Sequence, residues 1–330
     1  MQGPLELMPG SWVRTLPLPA ILLTLDAQGT LDGLPFMPEM AAWCGRTLRV
    51  RAHVGKTCVD ARPMEVRQFP ARDVYLLEAV RCSGSAHGGC ERECLIFWRR
   101  NWLARVSGPA PEPAPPDGTP AVTRLQVLRP DGSFFCQSST LRCATQLLTS
   151  AERLSVWWWD WRRGNLSSFR ALRQAVAPTW RKIVRRFRGA WPVGPLTKTP
   201  TDTLGLQPGE WVRVRPFAEI RSTLDQAGRN RGLVFEPDTV PYCGKVQQVR
   251  RRVGRMTSEP SGRMLTLANT VILQDITCPC PFTFGAARAA SSNSGGRCGW
   301  SAVRRRKQIL RCLPTWQFRA CLDRFLPLCM

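Results

Sequence analysis

Cys82, His87, Cys90 and Cys94 are spaced Cys-x4-His-x2-Cys-x3-Cys in a chain of 330 residues that has 14 cysteines and 2 histidines. Thiolate and imidazole are zinc ligands, and Gly84, Gly88 and Gly89 would let the backbone fold around an ion. Cys44 or Cys58 could replace one member of the set. The spacing matches no standard zinc finger, so three other readings stand beside zinc. These are free cysteines in a polar loop, a redox disulfide, and an Fe–S cluster on Cys82, Cys90 and Cys94.

A second group of residues suggests anion binding. Arg163, Arg170, Arg173, Arg181, Lys182, Arg185 and Arg186 fill the polar positions around Leu166 to Phe187, where apolar residues recur near helical spacing. Trp157, Trp158, Trp159 and Trp161 lie just upstream. Such a helix could bind nucleic acid, or touch an anionic membrane surface as a peripheral contact. It could equally pack its Trp, Leu and Phe face inward and leave the arginines solvated.

Evidence for catalysis is thin. The chain lacks Gly-x-Ser-x-Gly, His-Glu-x-x-His, a phosphate-cradling loop and a dinucleotide fingerprint. A Cys58/His53 pair would give a cysteine-dependent enzyme of unknown substrate. Asp26 and Asp225 each follow a short helical stretch and precede a Gly, so they read as turn formers.

The elements that would position these residues come in two copies. Gly10-Ser11-Trp12-Val13-Arg14 returns as Gly209-Glu210-Trp211-Val212-Arg213, and the offset of 199 holds to Gly55 and Gly254. Between Pro9 and Gly55, 21 of 47 positions are identical. Ser11–Arg14 reads as a strand, Pro17–Leu25 as a short helix, and Thr47–Val54 and Asp73–Val80 as strands. The counterpart of that last strand, Thr270–Ile276, sits at an offset of 196, so its loop is three residues shorter. In Leu95–Val106, Trp98 and Trp102 lie four apart and read as one helix face.

The expected fold class is α+β. Residues 1–106 and 204–284 form two small β-rich, SH3-like, partly open barrels. A Pro-rich linker at 107–120, a basic helical insert at 121–191 and a second linker at 192–203 lie between them. Residues 285–330 form an irregular basic tail.

Gly-x-Trp-Val…Thr-Leu-Asp-x-x-Gly…Gly-Leu-x-Phe-x-Pro…Cys-Gly occurs in both copies, and copy one ends on Phe97-Trp98-Arg99-Arg100-Asn101-Trp102-Leu103. This pattern resembles a bacterial family of uncharacterised proteins whose units end in a Trp-Arg-Glu-x-Trp-Leu-x-Arg-like segment. The resemblance covers both copies and implies no activity. Arg100 stands where that family would have Glu. Copy two lacks the expected ending. Under one choice of codons, the shifted frame near Asn293 encodes Phe-Trp-Arg-Glu-Val-Trp-Leu, which points to a frameshift between Gly285 and Asn293.

The net charge of +23 is unevenly spread. Residues 121–200 hold 14 Lys or Arg against 3 Asp or Glu, whereas residues 1–106 hold 13 against 10. The cations are mostly Arg, a bias that a GC-rich gene also produces. No run of about 18 apolar residues would span a membrane. Residues 1–6 have neither the basic nor the apolar region of a signal peptide. Cysteines in a chain without an export signal are expected to be reduced or to bind metal. The reading is a cytoplasmic bacterial protein that binds an unknown protein partner without catalysis and carries zinc in its first copy. Nucleic-acid binding through the insert is the alternative. The damaged frame would suit a passenger gene of a mobile element.

Overall fold

A computed structural model describes residues 7–59, 65–109, 125–149, 152, 158–165, 168, 193–198, 200, 204–231, 233–235, 237–274, 276 and 303–305. The fold is mostly β-sheet with few short helices, and the sheet curls into half a barrel.

In the N-terminal part, β1 (Trp12–Thr15) alternates Val13 and Thr15 inward with Trp12 and Arg14 outward, the period of a half-buried strand. Helix α1 (Leu18–Leu22) starts after Pro17, whose fixed φ suits a helix entry, and buries Leu18 and Ile21. Short strands β2 (Thr30–Leu31) and β3 (Leu34–Pro35) pair, and a 3-10 turn follows at Pro38–Trp43. Strands β4 (Thr47–His53), β7 (Val74–Arg81), β8 (Leu95–Arg99) and β9 (Leu103–Arg105) complete a five-stranded sheet ordered β8-β7-β4-β1-β9. Strands β5 (Thr57–Val59) and β6 (Glu65–Gln68) form a small side sheet.

Leu95–Val106 is not the helix that its tryptophan spacing suggests. Leu95–Arg99 is a strand buried at every residue, and a 3-10 turn at Arg100–Trp102 leads into β9. A run buried on both faces suits a strand covered on both sides rather than a one-sided helix. Trp98 and Trp102 still meet edge to face, with centroids 6.5 Å apart, and Phe36 stacks edgewise on both.

The C-terminal part contains β11 (Trp211–Val214), α3 (Phe217–Ser222), β12 (Arg229–Asn230), β13 (Leu233–Val234), β14 (Val246–Thr257), β15 (Met264–Leu273) and β16 (Val303–Arg305). Its sheet runs β15-β14-β11-β16. Trp12 pairs with Arg49, and Trp211 pairs with Gln248, 199 residues further on in each case. The register slips between Val50 and Ala52 in β4, and between Val249 and Arg251 in β14. Asp26 accepts the N–H groups of Gln28 and Thr30, and Asp225 accepts those of Ala227 and Arg229. Both aspartates close turns. Within 285–330, only β16 is described. It occupies the edge beside β11 that β9 occupies beside β1.

The sequence border between residues 106 and 121 does not separate two cores. Leu125, Cys136, Leu141 and Ala144 are buried in the same cluster as Val13, Trp98 and Trp102. Strand β10 (Gln146–Leu147) extends the β5–β6 sheet. Gln137, in the one-turn helix α2 (Gln137–Thr140), accepts from the Phe97 N–H at 2.8 Å and donates to the Pro35 and Phe97 carbonyls. The second cluster gathers Val212, Val214, Ile220, Leu224, Val249 and Leu273.

Candidate metal centre

The loop joining β7 to β8 is pinched at its neck, where the Cys82 N–H donates to the Cys94 carbonyl at 2.8 Å. Beyond the neck, the Gly84 carbonyl accepts from both His87 and Gly89 at 3.0 Å. A β-carbon on Gly84 would lie 1.9 Å from the Cys90 oxygen, and φ there is +70°, so only glycine fits. This tight turn carries His87 into the interior, where it is 1% exposed.

Glu39, from the 3-10 turn, meets His87 there. Its Oε1 lies 2.7 Å from His87 Nδ1 and accepts the Ala86 N–H at 3.1 Å. Ligand atoms of Glu39, Cys82 and His87 all lie within 4.8 Å of one another. Burial opposes charge on Glu39, but His87 and the Ala86 N–H outweigh it and hold its pKa below the ordinary value. Burial first, and then the Glu39 charge, push the Cys82 thiol well up.

These residues suit a metal ion. Glu39 Oε2 is buried and has no hydrogen-bond partner, which is costly for a carboxylate oxygen. His87 Nε2 lies 3.1 Å from the Phe135 carbonyl. A carbonyl and a carboxylate both accept, so each ring nitrogen faces an acceptor, Nε2 the Phe135 carbonyl and Nδ1 the Glu39 Oε1 at 2.7 Å. An ion taken by Nδ1 would displace the contact with Glu39 and leave Nε2 donating to the Phe135 carbonyl, an orientation common among metal-bound histidines. Glu39, Cys82 and His87 supply three ligands of the kinds zinc takes, leaving a fourth position open. A cation there would also favour the Cys82 thiolate, reversing the effect of burial.

The sequence-derived set is only partly gathered. Cys82 and His87 come together. Cys90, Cys94, Cys44 and Cys58 fall outside the group among the described residues. The Cys90 sulfur accepts the Thr257 N–H at 3.3 Å. Burial pushes Cys94 and Cys44 up to about 12, and Cys44 points at the Met40 carbonyl. Cys58 is buried in β5. Sequence reasoning missed Glu39, a lone carboxylate between Pro38 and Met40 with no ligand partner at a telling spacing.

The second half of the same loop reaches the C-terminal part of the chain. Arg92 pairs with Glu259 at 2.8 Å, both nearly sealed from solvent. Glu91 accepts the Gly254 and Arg255 N–H groups, and Glu93 holds Arg250 at 2.9 Å and Arg251 at 2.6 Å. Phe134 donates to the Gly262 carbonyl at 2.8 Å, which brings residues 125–149 to the same hairpin.

Of the anion-binding set, Arg163 alone is described; Arg170, Arg173, Arg181, Lys182, Arg185 and Arg186 lie outside the described residues. Arg163 turns inward, with Nη1 2.7 Å from His53 Nδ1 and its guanidinium 5.4 Å from the Trp159 ring centroid. His53 Nε2 faces the Arg72 carbonyl at 2.6 Å. Burial and then the Arg163 charge pull His53 down to about 3. With both ring nitrogens occupied and little basicity, His53 is a poor activator for Cys58. Beside it, Lys56 is fully buried and pairs with Asp160 at 2.6 Å.

No helix among the described residues is long and apolar enough to cross a membrane. No protein-family model, curated protein or solved structure matches this chain.

Proposed function

We propose that this chain is a non-enzymatic interaction protein. Its two β-rich copies, each read as a partly open SH3-like barrel, are held as one platform by the loop 82–94. One observation carries this reading: a single loop supplies Cys82 and His87 to the candidate metal centre and Glu91, Arg92 and Glu93 to the β14–β15 hairpin. A zinc ion on Glu39, Cys82 and His87 would fix the first half of the loop and so present the second half. The ion's contribution is structural: it binds the native loop and not the unfolded chain, so it stabilises the fold by mass action. A reducing, cytoplasmic setting would keep the Cys82 thiol available to the ion.

The test is thermal unfolding of the full chain with and without a zinc chelator. Chelation is expected to lower the midpoint and to increase protease cutting between residues 82 and 94. A midpoint and cutting pattern that ignore the chelator would overturn the zinc latch.

A further inference from the structure

The outward faces of the two sheets have a composition that the core does not explain. On β1 and β11, Val13 and Val212 point inward, while Trp12, Arg14, Trp211 and Arg213 point outward. Trp211 is 55% exposed. The Arg49 guanidinium lies over the Trp12 ring, 4.8 Å from its centroid. Strands β1, β4, β11 and β14 contain no Asp or Glu. Arg51 and Arg250 occupy matching bulges in β4 and β14, and both are exposed. The two sheets come together at Glu93, whose carbonyl accepts from Arg81 of β7 at 2.9 Å and whose carboxylate holds Arg250 of β14 at 2.9 Å. Arg81 is pulled below its ordinary value by burial first, and then by the charges of Arg250 and Arg51 together. The two sheets therefore meet along an edge where Arg81 and Arg250 share Glu93.

We propose that these faces form one binding surface for single-stranded nucleic acid, with Trp12 and Trp211 stacking on bases and Arg14, Arg49 and Arg213 contacting phosphates. This names the partner class of the two-copy platform and rests on that reading. An exposed tryptophan on a sheet stacks on a base only if the base is unpaired, which favours single strands over duplex. The guanidinium over Trp12 covers one face of the indole and offers its own flat cationic face for a base to stack on. The strand pairs β1–β4 and β11–β14, with outward arginines and no carboxylate of their own, complement a phosphate backbone.

The test uses the full chain, a fluorescent 20-nucleotide oligo(dT), a duplex of equal length and polyglutamate. Oligo(dT) is expected to bind with a steep salt dependence, at least tenfold tighter than the duplex or polyglutamate. W12A and W211A should each weaken binding by about tenfold, the scale of one base stack, while W211F should restore most of it. Both tryptophans face outward, so the thermal midpoint should hold. Oligo(dT) binding unchanged by W12A/W211A, equal or tighter binding of duplex or polyglutamate, or no binding at all would each overturn the proposal. Zinc content is measured on the same samples. Loss of oligo(dT) binding with zinc retained removes the surface alone. Binding that persists in protein free of zinc keeps the surface and removes only the latch.

Discussion

Arg92 and Glu259 meet at 2.8 Å with side chains 9% and 4% exposed, 167 residues apart in sequence. Burying two charges costs several kcal/mol, which their attraction offsets only while both are present. Removing one partner leaves an uncompensated charge in a dry site. Arg92→Met or Glu259→Leu alone should therefore cost about 3–5 kcal/mol, and the double replacement much less. Urea unfolding of the four proteins gives the cycle. Equal and additive losses would show that the pair does not couple the loop to the hairpin.

Gly84 and Gly89 share a φ of +70° but differ in surroundings. Gly89→Ala meets nothing within 4 Å, so its cost is the left-handed backbone alone, about 1–2 kcal/mol. Gly84→Ala adds a collision with the Cys90 backbone and should cost clearly more. It should also weaken metal retention, because the turn that aims His87 must open. Denaturation midpoints of the two variants, compared side by side, check the difference.

The offset of 199 was legible because pairs such as Trp12 with Arg49 and Trp211 with Gln248 depend on local alternation, which repeats with the sequence. The strand at Thr47–His53 and the helix after Pro17 were legible for the same reason. The helix expected at Trp98 and Trp102 was not found, since a spacing of four also arises when a fully buried strand turns through 3-10 geometry. Glu39 carried no signal at all. Its approach to His87, 48 residues away, is set by the packing of a 3-10 turn under a glycine loop. Glu91, Arg92 and Glu93 carried no sequence signal either, because their partners lie in the other copy.

His53 gives the protein a pH response. The unfolded ring takes up a proton below about pH 6.5, whereas the folded ring resists until about pH 3. Between those values the unfolded state binds more protons, so stability falls as the pH drops. The slope approaches about 1.4 kcal/mol per pH unit once the unfolded ring is protonated. His53→Gln should flatten the decline between pH 6.5 and 4.5, since the two proteins differ there in this ring alone. Matching wild-type and variant slopes would contradict the burial of a neutral ring.

Arg99 is fully buried and spreads its guanidinium over the Leu31 and Asp32 carbonyls and Asp73, the last at 2.5 Å. Lysine has the charge but not the planar fork. Arg99→Lys should lose about 2 kcal/mol by leaving buried acceptors unmet. Unfolding of this variant beside Asp73→Asn separates loss of the fork from loss of the ion pair.

The zinc latch is tested most directly by the metal content of the purified chain, measured by mass spectrometry under native conditions. One zinc per chain is expected, with retention falling at least tenfold in Glu39→Gln, Cys82→Ser and His87→Gln and holding in Cys58→Ser and Cys90→Ser. A wild-type chain that holds no zinc, or zinc that depends on Cys90 and Cys94 but not on Glu39, would contradict it.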